Sequence, residues 1–358
     1  MRLPTVLICL TMVSALGCGT PGAPLPPSLG IPKPVGDLQA VRKGATVTLT
    51  WSVPTDTTDG ALVRKPGKMQ VSRAISDNGA AAGAARVVAE LPLEPALKEP
   101  EPPAPIAKDS LGSLLPAPGG NFAVYTVLAQ SNVGKSAGPS NLATVPLVPT
   151  LPAPARIEAT AVPLGISLSW DQARPPENRS QLTTQYAYRI MRREQGVQTP
   201  LMVKQLNAGN EAVNFVDTGI EWQKHYDYWI TPVTLWQGAG KKGVVEGDDS
   251  PVAAIFADDK FPPEAPVGLQ AVFSGLANQP FIDLTWTPST EPDLAGYNVY
   301  RHSGDEPAVK INSELVKTPS FPDAQVKPGT KYFYAVSAVD LRGNESGRSA
   351  ETSETVPQ

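Results

Sequence analysis

Enzyme chemistry in this chain would have to come from very few side chains. It has two histidines, His225 and His302, and two cysteines, Cys9 and Cys18. Neither histidine has a cysteine or a second histidine at metal-ligand spacing, and no nucleophile motif accompanies them. The chain beyond Cys18 has no cysteine, which removes disulfides and thiolate chemistry from the body. Acidic residues gather at 246–249 and at Asp258–Asp259, where calcium binding or glycosidic hydrolysis would be the relevant chemistries. Neither stretch follows an EF-hand loop, and paired hydrolytic carboxylates need a cleft that fixes their separation. Both are read as loop and linker acids facing water. The sequence thus predicts no catalytic residue, no metal and no cofactor.

Binding chemistry is better supplied. Tyr226 and Tyr228 share a strand parity, so Trp229 faces the opposite side. Trp236 falls just beyond it, in the turn expected before Gly238, and Trp222 lies in the preceding loop. Exposed aromatics on a rigid sheet stack on sugars or anchor a protein. Packing beneath the 237–249 loop, or against a neighbouring module, would use the same three tryptophans. The net charge of −4, from 30 basic and 34 acidic residues with no basic stripe, argues against a nucleic-acid partner.

The elements that carry these residues read as strands. ATVTLTW sets Val47, Leu49 and Trp51 against threonines, a period of two that marks a half-buried strand. GISLSW ends at Trp170 and FIDLTW at Trp286, and each is followed by a second patterned run, MQVSR, YAYRIMRR or GYNVYR. Trp51 to Met69 and Trp170 to Tyr188 are both eighteen residues, and Asp217 to Tyr226 and Asp323 to Tyr332 are both nine. Repeats of about 100–115 residues, each with roughly seven short strands, predict sandwiches in tandem. The 39 prolines suit short strands with stiff edges and turns. The expected boundaries are 35–147, 152–257 and 263–357, with an alanine- and proline-rich insertion at 76–120 in the first module, inside which ARVVAEL offers a short strand. Pro232, inside the long strand of the second module, predicts a bulge or an edge there.

The N-terminus is of another kind. Arg2 precedes an apolar run from Leu3 to Leu16 that is too short for a convincing bilayer span, so 1–17 reads as a signal peptide. Its ending, SALGCG, resembles a bacterial lipoprotein signal, with Ala15 at the usual leucine position. That resemblance implies cleavage after Gly17 and lipidation of Cys18, with 18–34 as a proline- and glycine-rich tether. The competing reading is an ordinary secretory signal in which Cys18 is one more small residue. Gly19, not being aspartate, tilts a two-membrane organism toward outer-membrane placement.

Each repeat resembles a fibronectin type III domain, which implies an all-β chain of three tandem immunoglobulin-like sandwiches. On that resemblance, Trp51, Trp170 and Trp286 are the core tryptophans, and Tyr188 and Tyr297 are the third-strand aromatics. Tyr226 and Tyr332 are the corner tyrosines whose hydroxyls bond back to the chain. In the first module the corner position holds Ala123, with Phe122 and Tyr125 close by. RGNES, at 342–346, superficially resembles the integrin-binding loop of some family members, but Asn344 stands where the carboxylate belongs. The expected function is a non-catalytic cell-envelope lipoprotein acting as spacer, scaffold or adhesion surface. Its partners would be the membrane, through Cys18, and an envelope protein or a glycan. The alternative is carbohydrate binding by Trp222, Trp229 and Trp236.

Overall fold

The structure is a computed structural model that describes residues 29–80, 84–94, 104–115, 120–209, 214–275 and 279–358. The signal segment, Cys18 and most of the tether lie outside the described residues. The chain divides into two compact units, 1–147 and 148–358. No helix among the described residues is long and apolar enough to cross a membrane.

The first unit is a sandwich of seven strands. They are β1 (Gln39–Lys43), β2 (Thr46–Thr50), β3 (Pro66–Ser76), β4 (Arg86–Pro92), β5 (Ile106–Ser110), β6 (Phe122–Ser131) and β7 (Ala143–Pro146). One sheet runs β1-β2-β5 and the other β4-β3-β6-β7, all antiparallel. Val47, Leu49 and Trp51 point inward and are almost fully buried. Each large apolar chain buried this way contributes about 1.5–3 kcal/mol. Inside the span read as an insertion, β4 forms on the ARVVAEL run, and the reading needs correcting for a second strand, β5. IAKDS hid from a hydrophobic reading because its burial alternates on small and charged residues. Ala107 is buried and Asp109 partly so, whereas Ile106 is exposed.

The second unit holds two sandwiches. The first contains β8 (Ile157–Val162), β9 (Gly165–Trp170), β10 (Thr183–Glu194), β11 (Leu201–Asn207), β12 (Asn214–Asp217), β13 (His225–Gly238), β14 (Lys241–Glu246) and β15 (Ala253–Phe256). β8-β9-β12 form one sheet. In the other, β11-β10-β13 is continued by β15 along the first part of β13 and by β14 along the last part. β14 is an extra strand. The 237–249 segment is therefore largely a hairpin rather than a loop. β10 pairs with β13 through Tyr188 and Pro232 without a register shift, so the expected bulge is absent. The Pro232 carbonyl accepts Gly247 N–H (2.8 Å), so its missing donor falls where β15 gives way to β14.

The last sandwich contains β16 (Gln270–Phe273), β17 (Ile282–Thr285), β18 (Leu294–Ser303), β19 (Val309–Lys310), β20 (Ser320–Asp323), β21 (Lys331–Asp340) and β22 (Thr352–Thr355). Its sheets are β16-β17-β20 and β19-β18-β21-β22, the same order as in the first unit. Each module has its own buried core, centred on Trp51, Trp170 or Trp286.

Candidate functional site

The chemistry of this protein lies mainly inside its modules, where one polar constellation occurs three times. In the third module Arg301 Nη1 holds Asp323 at 3.0 and 2.7 Å, and Tyr334 Oη donates to the same carboxylate at 2.8 Å. In the second, Arg192 Nη1 and Tyr228 Oη reach Asp217 Oδ2 at 2.7 and 2.9 Å. In the first, Arg73 Nη1 and Tyr125 Oη reach Asp109 Oδ2 at 2.5 and 2.7 Å. Strand pairing explains the recurrence. Arg73, Arg192 and Arg301 stand directly opposite Tyr125, Tyr228 and Tyr334 on neighbouring strands. Each aspartate comes from a strand of the other sheet, so the network ties the two sheets together.

Burial makes these bonds matter. The Asp217 and Asp323 side chains are each 3% exposed, and a buried charge costs several kcal/mol unless it is paired and hydrogen-bonded. Both also accept a backbone N–H two residues on, from Gly219 and Gln325. Burial, reinforced by the adjacent carboxylate, pushes all three tyrosine hydroxyls well above the usual phenol range. The sequence held a partial signal, the matching distances from Asp217 to Tyr226 and from Asp323 to Tyr332. It concealed that the aspartates bond the next inward tyrosine.

The corner tyrosines do a separate job. Tyr226 Oη accepts Glu221 N–H (3.0 Å), and Tyr332 Oη accepts Lys327 N–H (3.1 Å). Among the described residues the first module shows no such corner. Ala123 is fully buried opposite Ile75, and Tyr125 is the equivalent of Tyr228 and Tyr334. The tryptophans also differ. Trp51 Nε1 donates to Met69 Sδ (3.2 Å), whereas Trp170 and Trp286 lie edge-on to Tyr188 and Tyr297.

The three candidate binding tryptophans do not form one patch. Trp222 packs against Phe261 (6.0 Å between ring centroids) and against the second core, and it lines a groove of about 820 Å³ between the second and third modules. Trp229 lies on the outer face of β13, opposite Met191, with the Arg193 guanidinium 5.8 Å from its ring. Trp236 is inside β13, not in a turn, and pairs with Gly243 of β14. Seven residues from Trp229 along an unbroken register, it lies on the opposite face of the sheet. Gly243 leaves room for it, since a Cβ there would stand 3.1 Å from the indole.

The remaining candidates are engaged locally. His225 stacks on Phe256 and His302 on Phe333. Glu246 pairs with Arg189, Asp249 accepts from Thr231 Oγ1, and Asp258 pairs with Lys260. RGNES is a docked turn. Glu345 Oε1 accepts from Asn298, Tyr300 and Ser337, and Asn344 Nδ2 donates to Asp340 Oδ2 (2.8 Å). Among the described residues, only the junction gathers three acids from distant parts of the chain. Asp259, Asp293 and Asp340 each bring one carboxylate oxygen within 4.8 Å of the others. Asp340 already accepts the N–H groups of Arg342 and Asn344, which build the turn.

Three sandwiches of this strand pairing, the second and third with a tyrosine corner, have the tandem fibronectin type III-like fold. No protein-family profile matches the chain. It is 28% identical over 244 residues to exoglucanase B of Cellulomonas fimi, an alignment covering 64% of this chain and 20% of that protein. It is 43% identical over 86 residues to an amylopullulanase of Thermoanaerobacterium thermosulfurigenes, covering 24% of this chain and 4% of that one. With an alpha-amylase of Niallia circulans it shares 30% identity over 118 residues, 32% of this chain and 8% of the relative. The chain thus spans a fifth or less of the length of these relatives. Among solved structures, the FN1–FN3 domains of chicken CNTN1 align over 91% of this chain and 99% of that one, at 16% identity and a TM-score of 0.26. A Fn3-like protein from Clostridium thermocellum aligns over 27% of this chain and 97% of that one, at 33% identity and a TM-score of 0.24.

Proposed function

We propose that this protein is a non-catalytic modular spacer and scaffold of the bacterial cell envelope, held to a membrane by lipidated Cys18. The threefold Arg–Asp–Tyr lock carries the reading. It commits a largely buried arginine, aspartate and tyrosine of each module to joining its two sheets, which builds rigid bodies rather than reactive ones. The relatives support the same view. Their names give three different activities, and each aligns with this chain over a fifth or less of its own length. The proline-rich tether would lift the modules off the anchor, with a reach of about 3 Å per residue where it is polyproline-like.

Two measurements test this. Labelled fatty acid should enter the wild type and be lost in Cys18→Ser, and persistent labelling of the variant overturns the anchor. A panel of glycoside hydrolase substrates should show no turnover, and turnover that survives purification overturns the non-catalytic reading. A second reading, glycan binding through outward-facing Trp229, is favoured by the glucan-acting names of the relatives. A glycan array with wild type and Trp229→Ala separates the two.

A further inference from the structure

The linker between the second and third modules is fastened at Asp259. Its backbone carbonyl accepts Asn344 Nδ2 (3.1 Å), and the same amide bonds Asp340 Oδ2, so Asn344 latches the linker to the third module. Asp259 is 8% exposed and Asp340 2%. The Asp259 carboxylate faces like charges on the elements packed against it: Asp293 from the turn before β18, and Asp340 from the end of β21. Glu264 and Glu291 add two more acids to the adjoining groove. Positive charge is sparse. Arg342, in the turn after β21, is exposed, and Lys260 on the linker itself pairs with Asp258 at 3.0 Å.

We propose that this linker is a pH-sensitive brace: the charge on Asp259 loosens the Asn344 latch at neutral pH, and neutralising it tightens the latch. The inference stands apart from the spacer reading, because it concerns two packed modules whatever they serve. Burial raises the Asp259 pKa above the ordinary aspartate value; the bond from Phe261 N–H opposes it, the charges of Asp340 and Asp293 add to it, and Arg342 opposes it least. The sign follows. A raised pKa means that the latched state favours the protonated form. Its contribution is complete below the ordinary aspartate value and is lost as pH rises through the raised one.

The test uses the full chain with Cys9 and Cys18 replaced by serine and spin labels on Val197→Cys and Val309→Cys, two exposed sites on the second and third modules. Distance distributions are recorded with EDTA at about pH 3.5, below the ordinary aspartate value, and at about pH 7.5. In the wild type the ratio of latched to unlatched molecules should rise at the lower pH. Asp259→Asn, which keeps the backbone carbonyl, should be latched at both. Asp293→Asn should shrink the response from outside the linker, and Asp258→Asn should leave it intact. A wild type with identical distributions at both pH values overturns the proposal. So does a full response in Asp259→Asn, or its loss in Asp258→Asn.

Discussion

Arg301→Met is the sharpest perturbation of the structural argument. It preserves most of the side-chain volume but removes both bonds to Asp323 and the 2.8 Å bond to the Gln325 carbonyl. The Asp323 side chain, 3% exposed, would then keep a buried charge with only the Tyr334 hydroxyl and one backbone N–H. Breaking a buried pair from one side costs about 3–5 kcal/mol. Tyr334→Phe removes a single bond to the carboxylate and should cost about 1–3 kcal/mol. A domain of this size loses about 4–8 °C per kcal/mol, so Arg301→Met should lower the third module's melting transition by roughly 12–40 °C. Calorimetry of the full chain resolves this, because each module has its own core and only one transition should move. In the first module the carboxylate left without its arginine, Asp109, is 10% exposed against 3% for Asp323, so Arg73→Met should cost less. The reasoning fails if Arg301→Met shifts the transition less than Tyr334→Phe does, or if all transitions move together.

Three further outcomes follow from the same geometry. Tyr125, Tyr228 and Tyr334 should stay protonated in the folded protein when ordinary tyrosines ionise, so tyrosinate absorbance from them should appear only on unfolding. Because their folded pKa values are raised, stability should fall as pH climbs above about 10, and Tyr334→Phe should flatten that limb for the third module. Glu345 behaves oppositely. Burial raises its pKa, but bonds from Ser337, Tyr300 and Asn298 outweigh it and hold the carboxyl below its ordinary value. Its contribution is present above the ordinary value and lost as pH falls through the folded one, so Glu345→Gln should remove part of the third module's acid sensitivity in denaturant titrations. Among the tryptophans, Trp222→Ala should cost about 2 kcal/mol in urea unfolding because it packs on the second core and on Phe261. Trp229→Ala, on the outer face, should cost less than about 1 kcal/mol.

The architecture was legible because alternation is local. Val47, Leu49 and Trp51, or Ile282, Leu284 and Trp286, declare a buried face within a few residues, and their repetition sets out three sandwiches. β5 was not legible, since IAKDS contributes a polar group to the network in place of a hydrophobic stripe. β14 was missed for a related reason. KKGVVE is carried by pairing with β13, and Lys241, Lys242 and Gly243 give no burial pattern of their own. The aromatic patch failed as a patch because parity along a strand and position in a loop place Trp229, Trp236 and Trp222 on three separate surfaces.

The sequence by itself determined the strand periodicity, the three core tryptophans, the corner tyrosines and the scarcity of groups able to do chemistry. Tertiary structure alone decided which charges meet. Arg301 and Asp323 lie 22 residues apart, and Asp259 and Asn344 are separated by 85. Such pairs carry no local signature, because Coulomb and hydrogen-bond energies depend on distance in space, and only the packing of one sheet on another sets that distance.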